Sequence, residues 1–174
     1  MNETHLKEKI IKLYRQKKSK EAIELLDKTI NNNKNLEEAF FLKGIVLSQN
    51  KNYTEAIKLF LKSLTINKEN FETNFAIAGC FQELRNFTKA IEHYQYCLKI
   101  NPNKNQPYHF LGVCFKNIGD YQKALSYLKQ SNKIHINADS LTALGNTLKE
   151  MGNFLEAKKN FQQALDINDN FIRA

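Results

Sequence analysis

The sequence has no tryptophan and, among its 174 residues, only two prolines and six glycines, which argues against a loop-rich or fibrous protein. No run of apolar residues approaches the roughly 20 needed to span a membrane, and the N-terminus has no apolar signal region. The three cysteines form no close pair, so we expect no disulfide framework. We therefore predict a non-membrane protein of a reducing compartment, the cytoplasm, with nuclear and ciliary locations left open.

The residues that are present, 42% of them hydrophobic, follow a period. Alanines recur 34 residues apart, and a fifth follows after 33, at Ala22, Ala56, Ala90, Ala124 and Ala157. A bulky residue follows each alanine by four, at Leu26, Phe60, Tyr94, Leu128 and Phe161. A glycine recurs in the first apolar run of the period at Gly44, Gly112 and Gly145. In the other two copies Ala78 and Ile10 occupy the same slot, that is, the same position of the period. A glycine inside a helix costs about 1 kcal/mol, so this slot predicts a close helix crossing.

Each period contains two breaks between amphipathic runs. The first break is marked by a capping residue at Asn52, Asn86, Asp120 or Asn153, and the second lies near Asn67, Asn101, Asn137 and Asn168. Asn and Asp are strong helix N-caps, and Gly119 and Gly152 suit a left-handed residue at a helix end. The pattern predicts pairs of antiparallel helices of roughly 14 residues each.

In the fourth period this pattern resembles the tetratricopeptide repeat, through Tyr108, Leu111, Gly112, Phe115, Tyr121, Ala124 and Leu128. The resemblance extends over nearly the whole chain as one array of five repeats, at 3–36, 37–70, 71–104, 105–137 and 138–171, with 172–174 as the start of a sixth. It implies an all-α fold, a right-handed solenoid of antiparallel helix pairs. The first repeat departs from the family at Ile10 and Ser19, which suits a terminal repeat.

The last predicted helix keeps Phe161 and Leu165 on its apolar side, although terminal repeats usually carry a polar cap. We therefore expect either that the chain is part of a longer protein or that another chain covers this end. Self-association through the uncapped C-terminal end is one form of the second expectation.

No motif in the sequence indicates an enzyme, and we predict no catalytic residue, no cofactor and no metal. The histidines lie outside any recognisable nucleophile or metal motif. His93 and Cys97 are one helical turn apart, but two ligands are too few for a structural zinc site. Cys80 and Cys114 occupy the same slot of neighbouring repeats, so we expect small buried hydrophobes.

In proteins that resemble this one, the first helix of each repeat lines a concave groove that holds a segment of a partner. Carried over, the groove residues are Phe41, Ile45, Phe75, Gln82, His109, Val113, Lys116 and Asn146. They form an apolar and aromatic centre with a polar, partly basic edge. For Leu42 and Phe110 the sequence leaves groove lining and packing between repeats equally open.

Two partner classes are disfavoured by particular residues. The clamp for a chaperone C-terminal Glu-Glu-Val-Asp peptide needs Lys, Asn, Asn, Lys and Arg, where this chain has Lys7, Ile11, Leu42, Glu72 and Ala76. Only Lys7 fits. The net charge of +8 is concentrated in the first repeat, but no basic stripe with exposed aromatics continues along the array, which argues against nucleic acid.

We therefore predict a non-catalytic scaffold or adaptor that binds a protein or peptide with apolar anchors near Phe41, Phe75 and Val113. Replacing Phe41 and Phe75 by Ala is expected to abolish capture without unfolding the array. Two alternatives stay open: a regulatory or substrate-recruiting array of a larger enzyme, and a structural subunit of a large ciliary or cell-cycle assembly.

Overall fold

The computed structural model describes residues 3–32 and 36–173, and the described chain is all α-helical. Ten helices fall within these ranges: α1 (Glu3–Arg15), α2 (Ser19–Asn31), α3 (Leu36–Gln49), α4 (Tyr53–Ile66), α5 (Phe71–Glu83), α6 (Phe87–Ile100), α7 (Asn105–Asn117), α8 (Tyr121–Ile134), α9 (Ala138–Glu150) and α10 (Phe154–Arg173). They divide into two compact units, an N-terminal unit that ends at Arg85 and a C-terminal unit that begins at Asn86. Each unit is considered by itself.

The helix bounds confirm most of the predicted breaks. Helices α4 and α6 end directly before Asn67 and Asn101, and α9 begins directly after Asn137. Asn86 and Asp120 cap α6 and α8 by accepting the backbone N–H of Lys89 and Lys123. Asn52 occupies the N-cap of α4, but its side chain makes no capping hydrogen bond.

The break predicted near Asn168 is wrong. Helix α10 continues through this position to Arg173 and has 20 residues, whereas the nine earlier helices have 13 or 14. Asn is only a weak helix breaker, because its propensity lies within about 0.7 kcal/mol of that of Ala. The predicted start of a sixth repeat at 172–174 thus overlaps the end of α10, and Ala174 lies outside the described residues.

At the first break of each repeat, the residue before the N-cap position lies in the left-handed region of backbone conformation. Gly119 and Gly152 have φ of 85° and 79°, as the sequence predicted. Lys17, Lys51 and Arg85 adopt the same conformation at the equivalent position, with φ of 59°, 64° and 58°. For an L-residue this conformation costs roughly 1–2 kcal/mol. The turn is therefore imposed by the packing of the two helices and not by glycine alone.

The glycine slot inside the helices is a close crossing, as predicted. A Cβ atom added at Gly44 would lie 2.5 Å from Phe60, and one added at Gly145 would lie 2.6 Å from Phe161. At Gly112 the added atom would collide with Leu128. The bulky residue four after each alanine thus fills the space that the missing side chain leaves on the facing helix.

The N-terminal unit contains two apolar clusters. The first joins α1, α2 and α3 through Leu6, Ile10, Ala22, Leu26, Ala39, Leu42 and Val46. The second joins α4 and α5 through Ala56, Ile57, Phe60, Ile77 and Cys80, with flanking residues from α3. Leu42 was predicted either to line the groove or to pack between repeats. It is buried in the first cluster, so it packs.

In the C-terminal unit, neighbouring helices pack on one another in chain order from α6 to α10. Leu128, Leu144, Leu148 and Ala157 join α8, α9 and α10. Phe110 of α7 stacks on Tyr94 of α6 with ring centroids 5.4 Å apart, so it packs between helices.

The three cysteines form no disulfide and are buried, which the shared position of Cys80 and Cys114 predicted for those two. Burial raises the pKa of the Cys80 thiol to about 11, with a smaller contribution from Glu83, and burial raises the pKa of Cys114 to about 12. Both thiols stay protonated near neutral pH and act as small apolar side chains.

Candidate interaction site

A cavity of about 360 Å³ opens on the C-terminal unit and is lined by α7, α9 and one residue of α8. Four predicted groove residues line it together: His109, Val113 and Lys116 from α7, and Asn146 from α9. The α7 residues are spaced by four and three positions, and this spacing places them on one helix face. Packing of α7 against α9 brings Asn146 to the same cavity.

A chain of hydrogen-bonded hydroxyl groups holds the His109 imidazole in place. Its Nδ1 lies 3.0 Å from Oγ of the buried Ser140, which in turn lies 3.2 Å from Oγ of Ser131. The Ser131 hydroxyl donates to the carbonyl of Asn105 at 3.3 Å. The His109 ring also meets Phe110 edge to face, with centroids 5.1 Å apart. These contacts fix the orientation of the imidazole at the cavity wall.

Burial lowers the pKa of His109 below its ordinary value of 6.5, and the nearby Asp139 carboxylate opposes this shift only in part. The imidazole is therefore mainly neutral at pH 7. In this state it offers an uncharged ring with one N–H donor and one acceptor.

Lys116 and Asn146 supply hydrogen-bond donors to the cavity lining. Both are half-buried. Within the described part of the chain, neither side chain makes a hydrogen bond or an ion pair. A half-buried ammonium and a half-buried amide without protein partners leave about five donor hydrogens for a ligand. Together with the apolar side chain of Val113, they give the cavity lining both apolar surface and hydrogen-bond donors.

The other predicted groove residues lie in or beside the N-terminal core. Phe41 packs against both clusters of that unit, with its ring 5.8 Å from Phe60, and Ile45 flanks the second cluster. Replacing Phe41 by Ala therefore removes core contacts and is expected to destabilise the unit by about 2–4 kcal/mol. The prediction that this substitution leaves the array intact needs this correction.

Phe75 and Gln82 lie on α5 and are half-buried. Phe75 stacks on Phe71 of the same helix with centroids 6.0 Å apart. A stacked, half-buried ring presents one face at most to a ligand, so Phe75 is a weaker anchor than the sequence suggested.

Several residues that complete the cavity were not among the predicted groove residues, namely Leu128, Asp139, Thr142, Ala143 and Thr147. Leu128 and Thr147 occupy slots that are buried in most repeats. In the sequence, a buried residue that lies beneath a cavity cannot be distinguished from an ordinary core residue. Thr142 was recognisable, because it occupies the slot of His109 in the next repeat.

The described residues contain neither a cluster of metal-ligating side chains nor a helix that could span a membrane. No group of three or more His, Cys, Asp and Glu side chains in those ranges is arranged to hold a metal ion. His93 is half-buried with its pKa lowered by burial, and Cys97, one turn away, is fully buried. None of the helices in the described part of the chain has both the length and the apolar character needed to cross a membrane.

Comparisons with solved structures identify the same fold in other proteins. A double mutant of MamA RS-1 superposes with a TM-score of 0.89 at 15% identity, covering 99% of this chain and 97% of that one. MamA from Desulfovibrio magneticus RS-1 gives 0.88 at 15% identity, covering 97% and 96%. The thermophilic protein TTC0263 of Thermus thermophilus gives 0.75 at 16% identity, covering 95% and 91%. At these identities the likeness shows the fold alone.

Two sequence family models also match. Residues 8–128 match the model described as the Psidin N-terminal TPR repeats region, and residues 138–171 match a tetratricopeptide repeat model. No curated protein matches the chain by sequence. Together with the helix order, the recurring glycine crossings and the structural likeness, these matches cover nearly the whole chain. The chain belongs to the tetratricopeptide repeat family and has its all-α solenoid fold of paired helices.

Proposed function

We propose that the protein is a non-catalytic interaction module that binds a segment of a partner protein in the cavity between α7 and α9. Membership of a repeat family built from stacked helix pairs supports protein binding in general. The observation that carries the proposal is the convergence of His109, Val113, Lys116 and Asn146 on one cavity.

The donor groups of Lys116 and Asn146 favour an acidic residue of the partner. A carboxylate that meets the Lys116 ammonium forms a charge-assisted hydrogen bond, worth about 1.5–3 kcal/mol when shielded from water. Asn146 adds a second donor to the same cavity. The partner segment is therefore expected to carry an Asp or a Glu.

The wall of the cavity favours an apolar side chain next to that carboxylate. Val113 and Ala143 supply apolar surface, and the neutral His109 ring continues it. Burying one aliphatic side chain of the partner contributes about 1.5–3 kcal/mol. An acidic residue with an apolar residue close to it in the segment matches this cavity. The three cysteines form no disulfide with one another, which supports placing the module in a reducing compartment such as the cytoplasm.

Peptide selection on the immobilised full chain tests the proposal, because it requires no identified partner. Peptides enriched from a random library are expected to carry an acidic residue beside an apolar one. Their affinity is then measured for the wild type, for Lys116→Glu and for Val113→Asp. Both variants are expected to bind the peptides at least about tenfold more weakly, because each loses about 1.4 kcal/mol or more of binding free energy.

Lys149→Glu is the matched control, because Lys149 occupies the slot of Lys116 in the next repeat and is exposed, outside the cavity lining. It changes the net charge of the chain by the same amount as Lys116→Glu. Equal losses in the two charge variants would mean that attraction depends on total charge, and the proposal would then be wrong. Thermal melts of all variants establish that they are folded.

A further inference from the structure

The last helix, α10, carries an apolar face that is exposed in the described structure. Phe154 is 67% exposed and Leu165 is 55% exposed. Between them, Phe161 is half-buried, whereas the three residues in its slot in the second to fourth repeats are almost fully buried: Phe60, Tyr94 and Leu128. The equivalent helices of other repeats show what covers the corresponding face there.

Helices α3 and α4 form a hairpin that matches α9 and α10 closely. Gly44 faces Phe60 as Gly145 faces Phe161, with nearly the same close approach. Tyr53 and Leu64 of α4 occupy the slots of Phe154 and Leu165 in α10. The α4 face and the α10 face therefore share these apolar positions, but Lys158 of α10 replaces Ile57 of α4, which is buried in the cluster with α5.

In the N-terminal unit, the α4 copy of this surface is covered by α5. Ile77 and Cys80 of α5 are buried with Phe60, and Ala76 and Phe81 pack against the same cluster, as do Tyr53 and Leu64. The covering helix thus presents apolar residues at positions i, i+1, i+4 and i+5, starting at Ala76. Helix α9 covers α8 in the same way in the C-terminal unit, through Leu144 and Leu148.

A second copy of this chain does not supply such a helix at its N-terminal end. The slots of α1 that correspond to the covering face hold Glu8, Lys9, Lys12 and Leu13, and these residues line an open depression. All but Leu13 are charged. Placing the two lysines of α1 against Phe161 and Leu165 would desolvate charges without partners.

We propose that the α10 face binds an amphipathic helix of a partner protein that has the apolar pattern of α5. Two positions differ from the α4–α5 pair. Lys158 replaces Ile57, and its alkyl stem lies along the partner helix while the ammonium group stays in water. Tyr53 Oη donates to Glu83 of α5 at 3.3 Å, but Phe154 has no hydroxyl group in that slot. The partner helix therefore carries an apolar residue where α5 has Glu83. This inference does not depend on the cavity between α7 and α9.

A labelled peptide of residues 70–85 of this chain is the probe, titrated against the full-length protein by fluorescence anisotropy. Asn70 is kept because its side chain caps the helix. We expect saturable binding, and at least about tenfold tighter binding when the peptide carries Glu83→Leu. Leu165→Lys in the protein is expected to weaken binding of both peptides by at least about tenfold.

Leu61→Lys in the protein is the matched control, because Leu61 is a similarly exposed leucine, 47% exposed, on α4. It is expected to leave the peptide affinity unchanged, as is Lys116→Glu, which separates this surface from the cavity. Absence of saturable binding, or equal binding by Leu165→Lys, would overturn the proposal. So would a dimer in light scattering that Leu165→Lys dissociates, because a second copy would then be the occupant.

Discussion

At the scale of single residues, the repeat slot determines what each side chain does. Gly44, Gly112 and Gly145 are required by contact with a bulky residue on the facing helix, and none of them is among the residues that line the cavity. The left-handed slot at the first break of each repeat accepts both glycine and lysine. The same backbone position therefore carries conformational strain in some repeats and not in others.

Lys51→Gly is expected to stabilise the protein. Lys51 is exposed and has φ of 64°, and relief of its strain outweighs the extra flexibility of glycine in the unfolded chain by about 0.5–1 kcal/mol. Gly119→Ala makes the reverse change at the equivalent slot, where a Cβ would meet no atom within 4 Å, and is expected to destabilise by about 1 kcal/mol. Urea unfolding measures both. The same sign for the two variants would contradict this explanation.

His109 predicts a pH dependence of stability. Because burial lowers its pKa in the folded state below 6.5, the unfolded chain binds a proton at higher pH than the folded chain does. The stability contributed by neutral His109 is complete above pH 6.5 and is lost as the pH falls from there to the folded pKa. His109→Gln removes this loss while keeping a group that can hydrogen bond to Ser140.

The measurement is the free energy of unfolding in urea at about pH 7.5 and about pH 5.5. The wild type is expected to lose more stability on acidification than His109→Gln. His93 also has a lowered pKa, but it is present in both proteins and cancels in the comparison. Parallel losses in the two proteins would show that His109 is not responsible.

At the scale of helices, the sequence predicted most of the breaks closely, because each combines a helix-stopping slot with a capping side chain. It failed at Asn168, where an Asn alone was taken as a break and α10 continues to Arg173. The sequence also did not show which of the Asn residues at cap positions make a capping hydrogen bond. Asn52 and Asn86 occupy the same slot, but only Asn86 accepts a backbone N–H.

Asn70 and Asn52 make a matched test of this distinction. The Asn70 side chain accepts the N–H of Thr73 at 2.8 Å and donates to Glu37 at 2.8 Å. Asn70→Ala is expected to cost about 1–2 kcal/mol of stability. Asn52→Ala is expected to cost less than about 0.5 kcal/mol, because its side chain makes no capping bond. Thermal or urea unfolding of the two variants decides the point, and equal losses would refute it.

At the scale of the whole molecule, periodicity predicted the fold, because a 34-residue recurrence of small, bulky and capping residues runs through the chain and few architectures share it. The site was less predictable. Among the positions transferred from the repeat family, His109, Val113, Lys116 and Asn146 line one cavity, whereas Phe41 packs against both N-terminal clusters. Whether such a residue lines a cavity or packs into a core depends on its neighbours in space, and the repeat register does not contain that information.

The cavity between α7 and α9 is the central claim, and backbone amide chemical shifts test it most directly. A peptide obtained by selection is titrated into isotopically labelled full-length protein. We predict that the largest shift changes cluster at His109, Val113, Lys116 and Asn146, and that Lys116→Glu removes them. Changes confined to α10, or spread over exposed residues without saturation, would contradict the claim.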